Sequence, residues 1–365
     1  MKIELQNQDF TLFHHSFEVL GGSERVAIAV LNVLKSLGFR VKLITLTSID
    51  KDKIKKWDEN FVEPDEIIIK KFPFKFGIYR ALFLSLYTGL PNSFSTIGDI
   101  TRSTYSYIHF PWSLTDNLKL IDDKYYKSEP YISNKKLRMY YIPYKYMHRL
   151  FLSKNKSKLL ANSNWTRKIL EISGYSATVL YPPVYFNSRK TINKKKDPNL
   201  IIYIGRISPE KNVNFIVDVA KRLNEFKFVI IGASGRDKEY INSIKRASES
   251  LDNLTLKLDA TKDEIDKYLS VAKIYFHPKI NEHFGISIVE AMASQLIPVI
   301  HKSGGAWYDI VEEGKYGIGY DSLETAIDAI KEASKMEIDF SDKIAQFSFN
   351  VFKEKLSRII ENGYY

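Results

Sequence analysis

From residue 199 onward, short apolar runs alternate with stretches whose apolar residues recur every three to four positions. NLIIYIG (199–205), KFVIIG (227–232), LTLKL (254–258), KIYFHP (273–278) and IPVIH (297–301) read as buried strands. VNFIVDVAKRL (213–223), KEYINSIKRASESL (238–251), DEIDKYLSVA (263–272) and ISIVEAMAS (286–294) read as the helices between them. Apolar strands that alternate with helices predict a parallel sheet covered on both faces. Ligands of such sheets sit beyond the carboxyl ends of the strands. The loops there are where chemistry is expected.

The first half alternates less regularly. ERVAIAVLNVLKSLG (24–38) predicts a helix ended by Gly38, and VKLITLT (41–47) a strand. EIIIKKFPF (66–74), STYSYIHF (103–110) and KLLANS (158–163) are further strand candidates, and residues 119–152, rich in Tyr and Lys, read as helical in part. YPPV (181–184) reads as an extended connector, because proline lacks an N–H and restricts the residue before it. The polar run SRKTINKKKDPN (188–199) follows it. We therefore expect two doubly wound α/β domains, 1–183 and 184–345. The last helix, within 346–365, is expected to pack back toward the N-terminal domain.

Composition narrows the function classes. The chain has 365 residues, 44% of them hydrophobic, enough for two cores. It has no cysteine, which excludes disulfides, thiolate catalysis and zinc–cysteine sites. The opening MKIELQNQDFTLF lacks the pattern of a secretion signal. The longest apolar run, ALFLSLYTGL (81–90), is too short to cross a bilayer. The net charge of +11 is concentrated: residues 101–200 hold 19 Lys and Arg against 6 acids, while 1–100 hold 13 against 12 and 201–365 hold 22 against 25. A local excess of this kind suggests an anionic partner.

Four loops carry candidate chemistry. GRISPEKN (205–212) places Arg206 and Lys211 between a strand end and a helix expected near Asn212, a combination suited to a diphosphate; a solvated turn is the competing reading. NEHFGIS (281–287) sets Glu282 before a turn at Gly285 and Glu290 on the helix that follows. Carboxylates accept hydrogen bonds from vicinal hydroxyls, as in sugars and riboses. HKSGG (301–305) brings Ser303, Gly304 and Gly305 to the next strand end. LGGSER (20–25) offers Gly21 and Gly22 at an early helix start, without the G-x-G-x-x-G pattern of dinucleotide oxidoreductases. His109, in YIHFPW, ends a strand beside an aromatic cluster. The one acidic triplet of D-x-D form, Asp50-Lys51-Asp52, lies among lysines and reads as a solvated loop.

Taken together, GGSER, YIHFP, ANSNWT, YPPV, GRISPEKN and the E-x7-E spacing from Glu282 to Glu290 resemble the retaining glycosyltransferases of family 4 over residues 12 to about 315. That resemblance implies the GT-B fold, two Rossmann-like domains facing across a cleft. LGGSERV, YIHFPW and SQLIPVIHKSGGAWYDIV are similar to the branch that adds α-1,2-mannose from GDP-mannose to lipid-linked oligosaccharides. Two departures stand out: the opening residues carry no membrane-anchoring helix of the eukaryotic kind, and Gln295 stands where the family usually has Gly.

By this resemblance, Arg206 and Lys211 neutralise the leaving diphosphate and Glu290 holds the ribose. Glu282 holds a hydroxyl of the transferred hexose, with mannose favoured. Phe284, Gly285, Ile286, Ser303 and Gly304 line the donor site; Gly21 and Gly22 approach the diphosphate; His109 contacts the sugar. The donor would be a nucleotide-diphosphate sugar, GDP-mannose favoured, with no cofactor, no metal and no nucleic acid. Segments 70–87 and 135–158 mix cations with Phe, Tyr and Leu, as anionic membrane interfaces require. They suggest a lipid-linked or glycan acceptor and a cytoplasmic protein docked on the cytosolic membrane face. A soluble glycosyltransferase of the same fold and an inactive nucleotide-binding protein are the rival readings.

Overall fold

The computed structural model describes residues 8–72, 77–152, 156–185, 195–233 and 237–363. Most of the polar run from Ser188, and residues 73–76 of segment 70–87, lie outside the described residues. The chain forms two compact units, Met1–Pro183 with Phe347–Tyr365, and Val184–Gln346.

The first unit holds a seven-stranded sheet: β1 (Asp9–Phe13), β2 (Arg40–Thr45), β3 (Glu66–Ile69), β4 (Ser93–Ser95), β5 (Tyr105–Ile108), β6 (Lys158–Ala161) and β7 (Ala177–Val179). All pairings are parallel, in the order β3-β2-β1-β4-β5-β6-β7. Its helices are α1 (Gly22–Ser36), α2 (Lys51–Trp57), α3 (Gly77–Ser85), α4 (Asp123–Ser128), α5 (Pro130–Ser133), α6 (Lys135–Leu152) and α7 (Asn164–Ile172). The second unit holds β8 (Asp197–Ile204), β9 (Lys227–Gly232), β10 (Leu254–Leu258), β11 (Ala272–His277), β12 (Ile297–His301) and β13 (Ile318–Tyr320). These are parallel too, in the order β10-β9-β8-β11-β12-β13. Around them stand α8 (Asn214–Ala220), α9 (Lys238–Glu249), α10 (Lys262–Val271), α11 (Ile286–Ala293), α12 (Leu323–Ala333) and α13 (Ser341–Ala345).

In each sheet the strand order reverses at one point, between β1 and β4 and between β8 and β11. A crevice opens beyond the carboxyl ends of strands at such a reversal. The final helix, α14 (Phe349–Glu361), buries Phe352, Leu356 and Ile360 in the core that α1 forms with β1, β2 and β5 of the first unit. Each such side chain contributes roughly 1.5–3 kcal/mol, so the last segment is an integral part of that core.

Two local expectations change, and one strand, β4, was not expected. Asp50-Lys51-Asp52 starts a helix: the Asp50 side chain caps α2 by accepting from Lys53 N at 2.9 Å. The helix expected near Asn212 begins at Asn214, because Pro209–Lys211 form a 3-10 turn that Asn212 ends in a left-handed conformation (φ +54°). Strand β4, SFS, carries no apolar pattern. Its buried Ser93 is satisfied locally, exchanging hydrogen bonds with Thr104.

Candidate active site

In the second unit the reversal between β8 and β11 collects charge. After β8 the chain makes the turn that carries Arg206 and Lys211; after β11 it supplies Lys279 and Glu282. Lys211 Nζ donates to Glu282 Oε2 at 2.7 Å, and neutral His277 donates from Nε2 to the same oxygen at 2.9 Å. Lys279 Nζ reaches Glu282 Oε1 at 3.4 Å, and the His283 N–H reaches it at 3.2 Å. Burial opposes ionisation of Glu282, but Lys211, Lys279 and His277 outweigh it and hold the carboxyl well below the usual range. Burial also lowers the Lys211 ammonium, with Glu282 opposing, and lowers His277 despite its bond to Glu282. Lys211 and Glu282 keep 19% and 10% of their side-chain exposure.

Four donors fill the lone pairs of one carboxylate. Glu282 is thus first an anchor for two ammonium groups, and a sugar hydroxyl could reach it only by displacing one donor. Sequence reasoning missed Lys279 and His277; the signal was the strand-ending His followed by Lys two and Glu five positions later. Arg206 lies beside this group but is 60% exposed and pairs with Glu210 at 3.7 Å.

The loops that hold these residues are fitted backbone to backbone. Gly304 (φ +73°) forms a β-bridge with Glu282, and a Cβ there would lie 2.5 Å from the Glu282 carbonyl oxygen. Ser303 Oγ accepts from Asn281 N at 2.8 Å and bonds His301 Nδ1 at 2.8 Å. Ser303 and Gly304 therefore fix the segment that carries Glu282. Gly285 (φ +105°) precedes α11, where a Cβ would meet Ile288 Cδ1 at 2.6 Å. Phe284 beside it is buried, and Ile286 opens the helix. Glu290 sits in the second turn of α11, half-buried. Tyr275 joins the pieces: its hydroxyl donates to Ile204 O at 2.9 Å and bonds Ser287 Oγ at 2.8 Å, and both Glu282 and Glu290 act on it electrostatically.

In the first unit, the end of β1 leads through His14 and His15 to Gly21, the residue before α1, and Gly22, its first. Glu24, in the first turn, accepts from Ser23 Oγ at 2.8 Å and lies 3.4 Å from His14 Nε2; His14 Nδ1 bonds Thr96 Oγ1 at 3.0 Å. Burial opposes charge on Glu24, but the His14 hydrogen bond prevails and holds it at about 2. Burial, with His14 beside it, lowers His15 to about 3. The ligand atoms of His14, His15 and Glu24 lie within 4.8 Å of one another, but Thr96, Ser23 and the His14–Glu24 contact already occupy two of the three side chains.

His109 follows β5. Burial, with His14 nearby, lowers it to about 4, so it is neutral, and its buried Nε2 has no hydrogen-bond partner. Its carbonyl accepts from Asn162 Nδ2 at 2.8 Å, and Ser163 next to Asn162 caps α7. ANSNWT and YIHFPW are thus one structural unit.

The family model described as "Glycosyl transferases group 1" matches residues 185–362. The mouse protein named GDP-Man:Man(3)GlcNAc(2)-PP-Dol alpha-1,2-mannosyltransferase is 32% identical over 235 residues, 56% of this chain and 47% of that protein. The chain spans about half the length of the curated relatives it matches. Among solved structures, a glycosyltransferase from Rickettsia africae aligns with TM-score 0.66 at 16% identity, covering 98% of this chain and 99% of the other. Sucrose-phosphate synthase from Thermosynechococcus elongatus aligns with TM-score 0.70 at 14% identity, with the same coverage. These likenesses show the fold, two Rossmann-like doubly wound units of the GT-B class.

Proposed function

We propose that this chain, whose residues 185–362 match the group 1 glycosyl transferases, is a retaining, metal-independent hexosyltransferase that uses a nucleotide-diphosphate sugar and a lipid-linked glycan acceptor. GDP-mannose is the favoured donor, in line with the name its curated relatives carry. The observation that carries the reading is the convergence of Lys211 and Lys279 on Glu282 at the strand-order reversal. Two ammonium groups on one carboxylate leave a net positive charge where a diphosphate would bind.

The leaving group is then the nucleoside diphosphate. Lys211, Lys279 and the exposed Arg206 stabilise the negative charge that develops on it as the glycosidic bond breaks. An acceptor hydroxyl attacks from the same face, forming the new C–O bond as the bond to the diphosphate breaks and passing its proton to the departing phosphate oxygen; this keeps the anomeric configuration and needs no covalent nucleophile. Charge stabilisation and positioning supply most of the rate enhancement. Glu290 holds the ribose hydroxyls. Gly21 and Gly22 of the first unit allow close approach to the diphosphate. His109 offers the sugar a ring nitrogen, since its carbonyl already serves Asn162.

Among the described residues no helix is long and apolar enough to cross a membrane. A lipid-linked acceptor calls for docking at a membrane, on the cytosolic face in this reading. The test is a thermal-shift screen across GDP-, UDP- and ADP-sugars, followed by transfer to a lipid-linked oligosaccharide. GDP-mannose should stabilise the protein most and support transfer. If no nucleotide sugar shifts the melting temperature, the assignment fails.

A further inference from the structure

Helix α6 is inverted relative to a surface helix. Its inner face carries polar groups that are satisfied: Tyr144 OH donates to Asp99 Oδ2 at 2.7 Å, Lys145 Nζ to Asp116 Oδ1 at 2.7 Å, and His148 Nε2 bonds Ile100 O at 2.9 Å. Its outer face is apolar. Met139, Ile142, Tyr146 and Leu150 are 64%, 50%, 78% and 72% exposed and follow one another at helical spacing. Helices that face water place charge on that side, and a contiguous exposed apolar stripe marks an interaction surface.

The charge that α6 itself carries is of one sign. Lys135, Lys136, Arg138 and Arg149 are exposed, and no Asp or Glu occurs from Lys135 to Leu170. Beside the stripe lies a cavity of about 240 Å³ whose lining includes Arg138, Lys145, Arg149 and four tyrosines. Asp116 is the one acid there; it takes Lys145 and stands 3.7 Å from Arg149. Three cations around one carboxylate leave room for a second anion.

We propose that α6 is an interfacial helix: Met139, Ile142, Tyr146 and Leu150 enter the headgroup–acyl boundary of a bilayer rich in anionic phospholipid, and one lipid phosphate sits among Arg138, Lys145 and Arg149. Charge complementarity selects this occupant, because an apolar stripe flanked by an excess of cations over acids matches a surface that is apolar within and negative at its edge. The inference rests on the lipid-linked acceptor reading only for its purpose. Binding is measured without donor or acceptor, so either can fail alone.

The experiment is sedimentation with vesicles of phosphatidylcholine alone or with roughly one-third phosphatidylserine, at low salt. The chain should pellet with the anionic vesicles and not with the neutral ones. Met139→Asp/Leu150→Asp should reduce binding at least tenfold, and Arg138→Ala/Arg149→Ala about tenfold, with melting temperatures near that of the wild type. Because the chain has no cysteine, Tyr146→Cys can carry a single environment-sensitive dye, whose emission should shift to the blue on anionic vesicles. No pelleting, equal binding to both vesicle types, undiminished binding of the aspartate variant or an unshifted dye would each overturn the proposal. So would a dimer that the aspartate variant dissociates in a protein that ignores lipid.

Discussion

Lys211 and Glu282, 71 residues apart in sequence, meet at 2.7 Å beyond the carboxyl ends of β8 and β11, with Lys279 on the other carboxylate oxygen. The two partners are not equivalent. Lys211→Ala leaves Glu282 with Lys279 and His277, so its stability cost should stay at about 1–3 kcal/mol. Turnover should fall on the order of 100-fold or more, as when one charge-stabilising donor is lost. Glu282→Ala strands two shielded ammonium groups and should cost about 3–5 kcal/mol as well as activity. Melting curves and kcat measured on both variants check this; unchanged turnover in Lys211→Ala would remove the diphosphate clamp.

Two glycines separate folding from ligand approach. At Gly304 a methyl would meet three backbone atoms of Asn281 and Glu282 within 2.8 Å, at a left-handed φ. Gly304→Ala should cost more than about 3 kcal/mol and displace Glu282. Gly21 has extended backbone, and the nearest atom to its Cβ would be Glu24 Oε2 at 3.4 Å. Gly21→Ala should therefore melt within about 0.5 kcal/mol of the wild type yet bind the nucleotide sugar more weakly. Calorimetric donor titration on the folded variant decides; unaltered affinity would show that no phosphate approaches Gly21.

The second unit was more legible in the sequence than the first, for physical reasons. Strands such as KFVIIG are buried on both faces and show as unbroken apolar runs, whereas β4 is built from two buried serines that hydrogen bonds satisfy. Lys211 and Glu282 could be singled out by type and position but not as partners, and His277 and Lys279 were not singled out at all. Lys211 and Arg206 read alike in GRISPEKN; only the fold shows one shielded on Glu282 and the other exposed. Ser303 and Gly304 read as ligand-binding loop residues, and their contacts show them bracing the chain that carries Glu282. Segment 135–158 read as a mixture of cations and apolar residues, but which of them face outward on α6 was not legible, because the inner face is polar and reverses the usual sign of amphipathicity.

The first unit should lose stability as the solution is made mildly acidic. His15 and His109 titrate near 3 and 4 in the folded chain and near 6.5 when unfolded. Between those values the unfolded state binds more protons, so stability is complete above about pH 6.5 and falls as pH drops toward 4. Each histidine contributes a slope of about 1.4 kcal/mol per pH unit in that window. Glu24, held near 2, adds its own loss only below about 4.5. Denaturant unfolding across the window should therefore show a steep slope that His109→Gln reduces by about half; an equal slope in the variant would mean that His109 is not neutral in the fold.

Gln295 occupies a position that glycine would fill with less strain. Three helices end with the same pair of hydrogen bonds, in which the residue after the cap and its successor donate back to the last turn. Gly38 and Phe39 bond Lys35 and Leu34, Gly174 and Tyr175 bond Glu171 and Leu170, and Gln295 and Leu296 bond Met292 and Ala291. The motif needs a left-handed residue, and φ is +91° at Gly38, +85° at Gly174 and +61° at Gln295. A side chain in that region costs about 1–2 kcal/mol, while glycine costs roughly 0.5–1 kcal/mol in unfolded-state entropy. Gln295→Gly should thus stabilise the second unit by about 0.5–1 kcal/mol, a rise of about 2 °C in melting temperature. The change lies at the far end of α11 from Gly285, so kcat should not move. A lower melting temperature would mean that the exposed Gln295 side chain contributes more than its backbone strain costs.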